Sequence, residues 1–260
     1  MSETSKMPVL FLAHGYPALL DDASWVRELH DWAEKLPRPR SILMISAHWE
    51  ARPVTLGATQ TVPLVYDFYG FPQKYYEQTY PAPGAPKLAD RVRALVGATQ
   101  PVADAPTRGL DHGAYVPLVA MYPEHDIPVL QISLPTMDAR PLFELGRALA
   151  PLRDEGVLIV GSGFLTHNLR TLDLMPNALI PTWAKDFDAY TAEAIQRHDI
   201  DALLDYRKRA PGVQQSLPTH EHFVPVLTAL GADADSHSET QFPINGFFGG
   251  SFTRRSVQWG

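Results

Sequence analysis

The stretch SILMISAHWE, residues 41–50, decides how the chain is read. Ser41 to Ala47 form a short, almost unbroken apolar run containing the β-branched Ile42 and Ile45. A run of that length without polar alternation fits a strand covered on both faces, as in a parallel sheet. This one stops at Ala47 and delivers an imidazole, His48. VLFLAHG, residues 9–15, does the same with His14. VLIVGSGFLTHNL, residues 157–169, runs apolar, turns through glycines and reaches His167.

Strand-like runs at 8–13, 41–47, 54–58, 127–134 and 157–161 alternate with helical patterns. Residues 22–36 carry Trp25, Leu29, Trp32 and Leu36 on one face, with Asp21 or Asp22 placed to cap. Residues 86–96 open on Pro86, repeat Leu88, Val92 and Leu95, and stop at Gly97. Residues 139–153 and 183–197 read as two further amphipathic helices. The alternation predicts one α/β domain over residues 1–260, with a mostly parallel or mixed central sheet and helices on both faces. QFPINGFFGGSFTRRSVQWG, residues 241–260, predicts a closing β-hairpin broken at Gly249 and Gly250. VPLVYDFYGFPQKYYEQTYPAPG, residues 62–84, is dense in Tyr, Phe, Pro and Gly, and is expected to pack as a long loop over the core or a site.

Composition narrows the function. The 260 residues are 45% hydrophobic and 20% charged, ordinary for a globular protein. A net charge of −7 argues against nucleic acid as the main partner. There is no cysteine, so disulfides, thiolate zinc sites and iron–sulfur clusters are excluded; histidine and carboxylate remain as strong metal ligands. MSETSKMP at the start is polar, and VLFLA is too short for a signal or a membrane span. A cytoplasmic protein with no membrane partner is expected.

Ligands of open α/β sheets bind beyond the carboxyl ends of the strands, where His14, His48 and His167 are all expected. A lone histidine there is usually a hydrogen-bonded core residue; three after separate strands point to a shared site. Neutral imidazole suits zinc, iron and copper. Ala13, Gly15 and Ala47 leave room for an ion and a substrate. Two more stretches qualify. LDHGAY, residues 110–115, puts His112 in a turn. PTHEHFVPVLTAL, residues 218–230, reads as a helix capped by Thr219; only one of His220, Glu221 and His222 can face a given site, and the apolar face brings Phe223 or His222 inward, with His222 preferred. His30, His125, His198 and His237 are expected to face solvent.

In order and spacing, FLAHGYP, SAHWE, YDFYGFP, YPAPG, DHGAYVPL, SGFLTHNLR and HEHFVPVL resemble the class III extradiol ring-cleaving (LigB-like) dioxygenases, in their 4,5-DOPA dioxygenase-like branch. The likeness runs from about residue 8 to SVQWG at the C-terminus. It implies a non-haem Fe(II) enzyme that opens a catechol such as DOPA with O2, although an all-histidine site also takes Zn(II). It implies His14, His48 and His222 as metal ligands, with Glu221 as the alternative third ligand and His167 as a possible additional one. It further implies His167 as the catalytic acid–base and His112 as a second catalytic histidine near the substrate. Tyr69, in the aromatic stretch, and Tyr115 are expected to contact substrate. A zinc-dependent hydrolase built on the same cluster, or a non-catalytic binding protein of the Memo type, are the competing readings. The physiological catechol, the bond cleaved and the oligomeric state stay open.

Overall fold

The computed structural model describes residues 6–175, 177–236 and 238–260. The first residues of the polar N-terminus and His237 lie outside them. Ten strands are described: β1 (Val9–Ala13), β2 (Ser41–Glu50), β3 (Val54–Leu56), β4 (Val102–Asp104), β5 (Val129–Leu134), β6 (Val157–Gly163), β7 (Thr240–Gln241), β8 (Phe247–Phe248), β9 (Phe252–Thr253) and β10 (Val257–Trp259). Eight of them form one sheet in the order β4-β3-β5-β2-β6-β1-β10-β7. The centre, β5-β2-β6-β1, is parallel. Antiparallel pairs, β3 with β5 and β10 with β1, flank it.

Period-two alternation explains why these runs are apolar throughout. Val9, Phe11, Leu43, Ile45, Val157 and Ile159 enter one core, whereas Leu10, Leu12, Ile42, Met44, Leu158 and Val160 enter another across the sheet. The second core is closed by α1 (Ala23–Ala33) and by α3 (His112–Met121). The first is covered by α2 (Pro86–Val96), α4 (Ala139–Leu149), α5 (Thr182–Gln196) and α9 (Pro225–Asp233). Between α5 and α9 come three short helices, α6 (Ile200–Leu204), α7 (Tyr206–Arg209) and α8 (Val213–Ser216). Asp22 caps α1, accepting from the Ser24 and Trp25 amides, a contact worth about 1 kcal/mol.

Three elements depart from the sequence reading. The helix expected over 139–153 ends at Leu149 and tightens into a 3-10 turn, Ala150–Glu155, which turns Arg153 inward. There Arg153 Nη1 meets Asp233 Oδ1 at 2.7 Å, both side chains almost fully buried. The helix expected from Thr219 begins only at Pro225, whose fixed φ and missing N–H suit a first turn. The Thr219 hydroxyl donates to Glu221 Oε1 at 2.9 Å instead of capping. His112 lies not in a turn but at the start of α3, a helix buried on every side and so without an amphipathic signature. The closing hairpin forms as expected from β8 and β9, with Gly249 and Gly250 both at positive φ; β10 then rejoins the main sheet.

Candidate metal centre

The parallel strands deliver the site. His14 directly follows β1. His48 lies near the end of β2, which continues to Glu50 through a shift of register against β5. Such an irregularity re-aims a side chain. His222 sits in the turn before α9. Gly161 and Gly163 of β6 let that turn press onto the strand: a Cβ at Gly163 would lie 2.0 Å from the His222 carbonyl oxygen, and one at Gly161 would lie 2.5 Å from that of Pro225. The GSG at the end of β6 is therefore what seats His222.

The three imidazoles converge. His48 Nε2 lies 3.1 Å from His14 Nε2 and 3.2 Å from His222 Nε2. The other nitrogens of His14 and His222 have hydrogen-bond acceptors, and that of His48 faces a carboxylate. Ser162 donates its hydroxyl proton to the Gly113 carbonyl, so its oxygen is left to accept from His14 Nδ1 at 3.0 Å. Glu221 Oε1 accepts from His222 Nδ1 at 3.0 Å. His48 Nδ1 faces Asp67 Oδ2 at 3.3 Å. With each proton on Nδ1, three Nε2 lone pairs point at one another, an arrangement that a cation relieves. Burial, followed by the neighbouring imidazoles, holds His14 and His222 well below the usual histidine range. Burial and His112 push His48 down to about 3, against the opposing pull of Asp67 and Glu221. The rings are thus neutral near pH 7. The spacing suits donors each about 2.0–2.1 Å from a single ion. His14, His48 and His222 could hold a metal; Glu221, engaged by His222 and Thr219, serves as an acceptor behind the cluster.

Around them stand two more histidines. His167, in the loop after β6, stacks on His222 with ring centroids 3.5 Å apart. Burial pushes it down to about 4, with Glu221 opposing and His112 assisting. His112 donates from both its backbone amide and Nδ1 to Asp67 Oδ1, at 3.1 and 2.8 Å. Asp111 caps α3 by accepting from the Ala114 amide, which fixes where that helix starts and hence where His112 points. Burial works against ionisation of Asp67, yet the hydrogen bond from His112 and the adjoining imidazoles outweigh it and hold the carboxyl below its usual range.

These groups floor a cavity of about 520 Å³. The long aromatic loop does pack over it, contributing Asp67, Phe68, Tyr69 and Phe71. Tyr69 is among the residues that line it. Tyr115 is not: it lies three residues along α3 from His112, fully buried in the core with its ring 6.3 Å from that of Tyr66. His220 bonds the Tyr206 hydroxyl instead of entering the site. His30, His125 and His198 are half-buried, but none of the three lines the cavity. Sequence reasoning gave no role to Asp67 or Ser162. The carboxylate inside YDFYGFP and the hydroxyl between two strand-end glycines were the available signals.

Known proteins resemble this chain along nearly its whole length. Residues 11–248 match the family described as the catalytic LigB subunit of aromatic ring-opening dioxygenase. A protein of Escherichia coli K12 named 4,5-DOPA dioxygenase extradiol is 39% identical, over 100% of this chain and 97% of its own. One of the same name from Beta vulgaris is 39% identical over 99% and 98%. The crystal structure of an uncharacterised E. coli K12 protein superposes with a TM-score of 0.84 at 36% identity, over 98% of this chain and all of that one. The chain belongs to the family of the catalytic LigB subunit of aromatic ring-opening dioxygenases.

Proposed function

We propose that the chain is a metal-dependent extradiol dioxygenase that opens a catecholic ring with O2, with Fe(II) held by His14, His48 and His222. The single observation that carries this is the convergence of three Nε2 atoms at 3.1 and 3.2 Å, inside a cavity walled by aromatic residues. Membership of a family of ring-opening dioxygenases supports the reaction class. Relatives named for DOPA make an amino-acid catechol a natural first substrate to try. Zn(II) can occupy the same nitrogens, since an all-imidazole set suits both metals. Among the described residues no helix is long and apolar enough to cross a membrane.

Fe(II) supplies chelation of the two catechol oxygens and a path for electrons between ring and O2. The protein does the rest. His167, neutral near pH 7, takes a hydroxyl proton from the catechol onto its imidazole and holds it beside the ring for return later in the reaction. The stack on His222 fixes where that imidazole sits. His112, oriented by Asp67, meets the substrate oxygens from the opposite side of the cluster. Phe68, Phe164 and Phe252 wall the cavity and exclude water from the opened ring.

The test is anaerobic loading with Fe(II), followed by oxygen-electrode assays with catechols including L-DOPA. One O2 consumed per catechol, with a yellow ring-opened product, is the expected result. Ester or amide hydrolysis by the zinc-loaded protein, with no oxygen uptake under either metal, would replace this reading with a hydrolase.

A further inference from the structure

The mouth of the cavity carries information its floor does not. One side is formed by Leu169, Leu172 and Leu174, on the strap that follows His167; the other is formed by Tyr69 and Phe71. Leu169 is 67% exposed and Leu174 62%. Leaving that much aliphatic surface in water is unfavourable, and clustered exposed apolar groups beside a cavity mark a contact site. The strap is fastened down. The Asp173 amide donates to the Gly249 carbonyl at 3.0 Å, and the Thr171 and Ser251 hydroxyls meet at 2.9 Å. A Cβ at Gly249 would lie 2.2 Å from Leu172 Cδ1, so this leucine is packed against the hairpin.

Charge is arranged to match. Among the described residues, no lysine or arginine lines the cavity. Its two carboxylates, Asp67 and Glu221, lie at the floor, where Asp67 Oδ1 accepts from His112 and Glu221 Oε1 from His222; their negative charge opposes a carboxylate tail. Nearby arginines are engaged elsewhere: Arg254 with Glu28, Arg255 with Asp188, and Arg108 with Asp111. Arg170, on the strap itself, does not line the cavity. A carboxylate tail leaving the metal centre would enter an aliphatic mouth that no lysine or arginine among the described residues lines.

Resting on the dioxygenase reading, we propose that the substrate of this chain is a catechol with an uncharged, apolar ring substituent, and that Leu169, Leu172 and Leu174 select it over catechols with charged tails. Two measurements test this. In the first, zinc-loaded protein, which binds catechols without oxidising them, is titrated calorimetrically with 4-methyl-, 4-ethyl-, 4-propyl- and 4-butylcatechol, with 3-(3,4-dihydroxyphenyl)propanoate and with L-DOPA. Affinity is expected to rise roughly three- to fourfold per methylene, the value for burying one CH2. The carboxylated compounds are expected to bind at least about tenfold more weakly than an alkylcatechol of equal length. Equal or tighter binding of the carboxylated compounds overturns the proposal. In the second, Leu172→Arg and Leu174→Arg are expected to move the preference toward the propanoate by about tenfold, while Arg170→Ala leaves it unchanged. An unmoved preference in both leucine variants, a lost preference in Arg170→Ala, or a changed oligomeric state with selectivity intact would each overturn it; the last would make the leucines a contact between copies. If a variant fails to fold, the wild-type titration decides. Failure of the underlying reading looks different: the iron-loaded protein would then consume no oxygen with any catechol, whatever its tail.

Discussion

The imidazole of His167 lies flat on that of His222, ring centroids 3.5 Å apart and planes 7° from parallel. One ring belongs to the three-nitrogen cluster and the other faces the cavity without joining that cluster. In the proposed function this stack sets the proton-moving imidazole against a metal-holding one, and the proposal requires that the two roles can be removed independently.

His167→Ala is expected to retain a full equivalent of metal and to lose turnover by roughly a hundred- to ten-thousandfold, the range for removing a general acid–base. His14→Ala, His48→Ala and His222→Ala are expected to lose the metal itself. Metal analysis of dialysed protein beside oxygen uptake checks both; equal metal loss in all four variants would make His167 a ligand.

Asp67 steadies two imidazoles at once, accepting from His112 Nδ1 at 2.8 Å and facing His48 Nδ1 at 3.3 Å. Asp67→Asn is expected to weaken metal binding by about ten- to a hundredfold, as for other partners behind a ligand. It is also expected to lower kcat through His112. Competition against a chelator measures the first and steady-state kinetics the second.

Gly163 has no room for a side chain, because the His222 carbonyl would lie 2.0 Å from its Cβ. Gly163→Ala is expected to push the His222 turn off β6 and to cost about 1–3 kcal/mol of stability. Metal should then stabilise the variant less than the wild type, since linkage scales with affinity. Thermal melts with and without zinc give the comparison; an identical metal-induced rise in Tm would mean that the turn does not seat the ligand.

Arg153 and Asp233 form a buried ion pair far along the sheet from the cavity. Arg153→Leu is expected to destabilise by roughly 3–5 kcal/mol, because Asp233 keeps its hydrogen bonds from Ser238 but loses its buried countercharge. Adding Asp233→Leu should recover part of that loss. Urea unfolding of the single and double variants checks it.

The sheet was legible because a strand covered on both faces must be apolar throughout, and five such runs stand out between helices of clear period. His14 and His48 were legible as the residues at which those runs end. The start of α9 was not, because Thr219 and Glu221 imitate a cap while Pro225 holds the first turn. Tyr115 was misplaced because α3 is buried all round, so no hydrophobic face reveals which of its residues look toward the cavity. Asp67 escaped notice because its role depends on a long loop folding back across the sheet rim, a contact that no local pattern encodes. The same long-range closure brings the strap leucines to the mouth.

The proposed function requires that His14, His48 and His222 bind one ion. Anomalous diffraction from crystals of the zinc-loaded protein tests it most directly. A single strong peak about 2.0–2.1 Å from all three Nε2 atoms is expected, with His167 and Glu221 outside bonding distance. A peak bonded to Glu221 or His167 in place of one of the three, or two peaks on separate histidines, would contradict the account.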